Sequence, residues 1–194
     1  MMKFDELDKK MRVFETAADY CVLPGLFMVA RLDGRSFTRL TKEVCQFEAP
    51  FDQCFRDLMV ATTESLMTCG FRVLYAYTES DEISLLFSLE DQLFGRKLRK
   101  YNSTLAAEAS AKFSLLIGEV ATFDCRISQL PSVELVVDYF RWRNEDAAWA
   151  LSPSEKRTSF SIWHQFQRCP QLAKTWYRHV LGRLRETRHQ SHHW

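Results

Sequence analysis

Two apolar runs, FRVLYAY (71–77) and ISLLFSL (83–89), are separated by only five residues, Thr78-Glu79-Ser80-Asp81-Glu82. Aromatic and branched side chains in runs this short, joined by a polar link, predict a β-hairpin. Upstream, Phe27 to Leu32 is mostly apolar and of a length that suits a buried strand. A helical pattern over about 50–69 lies between, with Phe51, Phe55, Leu58, Met59 and Leu66 on one face and Gly70 at its end. A strand–helix–strand crossover is right-handed and leaves its two strands parallel. The hairpin then sets the third strand antiparallel to both.

The remaining segments extend this frame. Residues 3–20 have helical spacing, with Phe4, Leu7, Met11, Phe14 and Ala18 on one face, and Pro24-Gly25 separates them from the first strand. A second long helix is predicted over about 94–117, with Leu98, Leu105, Ala109, Phe113 and Leu116 as its stripe and Gly118 as its stop. Strand-like runs at 121–128 and 135–140 follow, then a short helical piece carrying Trp142. The order is helix, then β-α-β-β-α-β. That order predicts an α+β, ferredoxin-like (split βαβ) plan, with an antiparallel sheet and the helices on one face.

The plan brings distant acids together. Strand three lies beside strand one, so the C-terminal end of strand one meets the start of strand three. Asp33-Gly34, expected to stop the first strand, then falls near Asp81 and Glu82. Carboxylates converging at one sheet edge repel unless a cation sits between them. Mg²⁺ suits such oxygen donors and shares its remaining positions with phosphates. Each acid alone reads equally well as a turn former; their juxtaposition favours a metal site.

Four cations, Arg96, Lys97, Arg99 and Lys100, open the second helix. Cations there oppose the helix macrodipole, and a bound triphosphate would offset them; the other reading is a solvated face. Arg35 and Lys42 are candidates for further phosphate contacts. Two Mg²⁺ ions between shared carboxylates and a triphosphate suit in-line phosphoryl or nucleotidyl transfer, which needs no side-chain nucleophile.

Composition narrows the setting. No apolar run approaches the ~20 residues of a membrane span, and the first residues carry acids rather than a long apolar core, unlike a secretory signal. Six cysteines without a CxxC pair point to reduced thiols in a cytoplasmic protein rather than to zinc. Charge divides the chain unevenly, +6 over 155–194 against about −5 over 1–154, and all five histidines lie in the basic part. The chain is therefore divided into 1–150 and an atypical basic segment, 151–194.

Five stretches in order, RLDGRSFTRLTK (31–42), YTESDEISLLF (77–87), RKLRKYNSTLAAEASAKFS (96–114), FDCRISQLP (123–131) and DYFRWRNED (138–146), resemble the tRNA(His) guanylyltransferase family. The bacterial guanylyltransferase-like 3′–5′ RNA polymerases look most similar. The resemblance implies a polymerase-type palm in 1–150. It implies an enzyme that adds nucleotides to tRNA 5′ ends, in 5′-end repair or guanylation of tRNA(His), after ATP or GTP activates that end. It implies that Asp33 and Asp81 are catalytic and hold two Mg²⁺ with the Gly34 carbonyl. Ser80, Arg96 or Lys97, Lys100 and Lys42 would contact triphosphate, Glu82 would sit in the motif without a settled role, and the protein would be a homo-oligomer, tetramer or dimer.

The resemblance stops after Asp146, where AAWALSPSEKRTSFSIWHQFQRCP replaces the His- and Asn-bearing helix of relatives. The expectation for 151–194 is a poorly ordered or truncated C-terminal extension that impairs turnover; its rival is an RNA grip through Trp163, Trp176 and Trp194. Two other functions remain open: a nucleotide cyclase using a similar two-metal palm, and a nucleotide- or RNA-binding remnant.

Overall fold

The protein is described here from a computed structural model covering residues 3–48 and 52–150, the last four by backbone alone. The expectations placed on Phe51 and on 151–194 lie outside the described residues.

Helix α1 (Phe4–Thr16) comes first, followed by strand β1 (Phe27–Arg35) and a short turn of helix, α2 (Phe37–Arg39), that runs into a wider turn at Leu40–Val44. Helix α3 (Gln53–Thr68) leads to the hairpin of β2 (Val73–Glu79) and β3 (Glu82–Phe87). Then come α4 (Leu98–Ile117), β4 (Thr122–Leu130) and α5 (Val133–Ala150). The sheet order is β2-β3-β1-β4, and every neighbouring pair is antiparallel. This is the predicted split plan, with β3 between β1 and β2.

Local chemistry explains the helix ends. Asp52 accepts the Phe55 backbone N–H at 2.9 Å and caps α3. Gly118 closes α4 at φ +77°, donating its N–H to the Ser114 carbonyl at 2.9 Å. Between β3 and α4, Phe94, Gly95 and Arg96 are all left-handed. The second helix therefore begins at Leu98, not near residue 94.

The central strand is buried on both faces over its first half, which is why it reads as an unbroken apolar run. Met28, Ala30 and Leu32 face α3 and α4, joining Ile83, Leu85, Phe87, Leu105 and Phe113 in the main core. Phe27 and Val29 face the other way, with Tyr75, Tyr77, Leu86, Val136, Tyr139 and Phe140. Each large side chain so buried stabilises the fold by about 1.5–3 kcal/mol.

Two expectations change. Asp33-Gly34 does not stop β1, which continues to Arg35 and turns only at Ser36, φ +60°. Residues 135–140, read as a strand, belong to α5. That helix packs on the sheet face opposite α3 and α4, so helices cover both faces, not one.

Candidate active site

The first four residues of β1 are buried, and then polar side chains emerge on one face. Alternation along the strand puts Arg31 and Asp33 on the α5 face, beyond the apolar cover of Val136, Tyr139 and Phe140. Register sets Asp33 opposite Glu82 of β3 and opposite Asp124 of β4. The β2–β3 turn is Ser80-Asp81, tighter than the five-residue link suggests. Ser80 holds φ +52° without being glycine, the kind of backbone strain that clusters at functional turns. Its hydroxyl donates to Asp81 Oδ1 at 3.2 Å, and the Gly34 N–H donates to the Asp81 carbonyl at 3.0 Å. Residues 47 positions apart thus share a backbone hydrogen bond, and Asp33 and Asp81 are brought together.

Charge at this end of the sheet is poorly neutralised. Burial pushes Asp81 above the ordinary carboxylate range, and the charge of Asp33 adds to the effect. Burial likewise raises Glu79, opposed by a hydrogen bond from Tyr77, and raises Glu82 against the pull of Arg31 and Arg143. The two arginines clasp Glu82: Arg31 Nε lies 2.7 Å and Arg143 Nη1 3.1 Å from Oε2. Glu82 is thereby committed to ion pairs. Asp33 keeps looser company, with Arg31 and Arg126 each 3.8 Å away.

Among the described residues no group of three or more His, Cys, Asp or Glu is arranged to hold a metal. The protein offers two hard carboxylates and nearby backbone oxygen. That donor set fits a Mg²⁺-type cation, which keeps water or phosphate in its other positions, and does not fit zinc.

The basic cluster is arranged differently from expectation. Arg96, expected on triphosphate, is buried, its Nη1 and Nη2 donating to the carbonyls of Leu89 (3.1 Å) and Leu26 (2.6 Å). It braces the chain from inside. Lys97 Nζ lies 2.8 Å from Asp19 Oδ2, and Arg99 also pairs with Asp19. Hydrogen bonds from Arg99 first and Lys97 second hold Asp19 near a pKa of about 2. The anion that the helix start calls for is thus supplied to two of its four cations from within the chain. Lys100 lies over the Phe94 ring, 5.7 Å from its centroid. Arg35 lines an open cavity of about 300 Å³ with Ser36, Arg39, Glu119 and Thr122. Lys42 is exposed in the Leu40–Val44 turn and is not among the residues lining that cavity.

Arg31, Arg126 and Arg143 escaped the sequence reading. Arg31 could have been found from its same-face spacing two residues before Asp33. Arg143 could not, because it depends on α5 being a helix.

A family model described as tRNAHis guanylyltransferase matches residues 8–131. A "tRNA(His) guanylyltransferase" of Neurospora crassa is 34% identical over 136 residues, covering 64% of this chain and 46% of that protein. The namesake from Debaryomyces hansenii is 29% identical over 136 residues, with 64% and 51% covered. The chain thus spans about half the length of these curated relatives. Among solved structures, a bacterial tRNA(His) guanylyltransferase-like protein in complex with GTP superposes with a TM-score of 0.68 at 30% identity, over 74% of this chain and 71% of that one. The matched span runs from within α1 to the end of β4 and includes the sheet together with Asp33, Gly34, Ser80 and Asp81, so the chain belongs to the tRNA(His) guanylyltransferase family.

Proposed function

We propose that the chain is the palm of a metal-dependent 3′–5′ nucleotidyltransferase that adds nucleotides to tRNA 5′ ends, using ATP or GTP, in the cytoplasm. The observation that carries this reading is the juxtaposition of Asp33 and Asp81 within the span matched by the family. A bound divalent cation, Mg²⁺ and two ions on this reading, would activate the attacking hydroxyl and neutralise phosphate charge. The protein's own residues do the rest. Asp33 and Asp81 would hold the cations, with the Gly34 carbonyl beside them. Ser80 fixes the Asp81 carboxylate through its hydroxyl. Arg35, two residues after Asp33, lines an open cavity and on this reading contacts phosphate. Lys100 and Lys97 are the further phosphate contacts, Lys97 by exchanging Asp19 for substrate, with Lys42 at the periphery. Glu82 positions Arg31 beside Asp33 and is not a ligand.

The test is incubation of the protein with Mg²⁺, labelled ATP and GTP, and a tRNA lacking its first nucleotide. Label should enter the tRNA, and Asp33→Asn or Asp81→Asn should lower the rate by about 100-fold or more. Cyclic nucleotide, or binding without product, would overturn the reading. Thermal melting gives a second readout. Mg²⁺ should raise the melting temperature of the wild type and leave Asp81→Asn unmoved. Without metal, Asp81→Asn should melt no lower than the wild type, because the raised pKa means that charged Asp81 opposes folding at neutral pH.

A further inference from the structure

The pairing of β1 with β4 sets like charges face to face. Arg31 lies directly opposite Arg126, and Asp33 directly opposite Asp124. Like charges opposed on one face of a sheet are destabilising. A diagonal relieves them here. Arg126 Nη2 lies 3.5 Å from Asp124 Oδ1 and 3.8 Å from Asp33 Oδ2. Both separations exceed the roughly 2.7–3.2 Å of a formed N–H···O hydrogen bond. The guanidinium is thus shared between two acids and committed to neither.

Arg31, the other cation beside Asp33, is held differently. Its Nε lies 2.7 Å from Glu82 Oε2, and its side chain is 21% exposed against 55% for Arg126. Of the two, Arg126 is the one with room to exchange partners. A divalent cation on Asp33 repels a guanidinium a few ångströms away, and more strongly at a sheet surface than in bulk water. Asp124, 62% exposed and already within reach, offers that guanidinium a second seat on the same sheet face. Neither Arg126 nor Asp124 contributes to the apolar core, so the exchange requires no repacking.

We propose that Arg126 is a positioning residue that competes with the divalent cation for Asp33, and that Asp124 is the seat it takes as the cation binds. The proposal rests on the reading of Asp33 as a metal ligand. The test is Mn²⁺ titrated into the full chain without nucleotide or tRNA, the free ion being counted by electron paramagnetic resonance. Mn²⁺ accepts the same carboxylate and water donors as Mg²⁺. Arg126→Gln should tighten binding by about 3-fold or more, and Asp124→Asn should weaken it to a similar extent. Arg126→Gln/Asp124→Asn should bind as tightly as Arg126→Gln alone, because Asp124 acts only through the guanidinium. Simple summation of charge would return the double variant to wild-type affinity, and that result overturns the proposal. Unchanged Mn²⁺ affinity in Arg126→Gln overturns it too; a lower melting temperature would then mark Arg126 as a tie between strands. Mn²⁺ binding that Asp33→Asn leaves unaltered would sink the metal reading itself, and the proposal with it.

Discussion

A Cβ built on Gly34 would lie 2.5 Å from Cγ of Phe37, closer than packed atoms approach. The sequence suggests a glycine wanted for a turn or for a ligand near the backbone, but β1 runs straight through it. What the residue provides is room for a ring that packs against Phe123 at 4.9 Å and Phe113 at 5.1 Å. Gly34→Ala should destabilise the fold by about 1–3 kcal/mol, the range for overpacking, read from urea midpoints. It should also loosen the link to Asp81. At this scale Asp33 and Asp81 were legible because strand order alone brings them together. The role of Gly34 was not, because a ring folding back over the strand leaves no spacing signal.

Among the elements, α5 is the one misread. Val136, Val137 and Tyr139 favour extended structure intrinsically, whereas Val133, Val136, Phe140 and Arg143 follow helical spacing. The exposed half of the sheet decides between them, since a helix there buries Phe27 and Val29 and a further edge strand would not. The same helix delivers Arg143, buried between Glu82 and Asp146 and stacked 3.6 Å over the Trp142 ring. Arg143→Ala leaves Glu82 with Arg31 alone. The expected loss is about 3 kcal/mol, the lower end for breaking a buried pair, measured by chemical denaturation. A loss below about 1 kcal/mol would mean that Arg31 suffices. The α4 start was equally hidden, since Phe94 and Arg96 give no residue-level sign of left-handed backbone, and only Gly95 does.

Over the whole molecule, the split βαβ plan followed from the order of apolar periods, but contacts outside the sheet did not. One such contact spans 78 residues: Asp19 ties the N-terminal segment to the start of α4 through Lys97. Its depressed pKa makes the contribution present above the unfolded value of 3.8 and lost as pH falls through about 2. Asp19→Asn should therefore lower stability at pH 7 and flatten the acid limb of the stability curve across that window, followed by urea unfolding at both pH values. An unchanged limb would mean that the pairing is not maintained in solution. The tie to Asp19 could not be read from sequence, because nothing in a lone acid 78 positions upstream marks its partner.

The hydrogen bond from the Gly34 amide to the Asp81 carbonyl has a use of its own. It exists only while the end of β1 and the hairpin turn stay together, so that amide proton exchanges with solvent only when they part. A single backbone resonance then reports whether the two carboxylates are assembled, in any buffer and with no substrate or turnover.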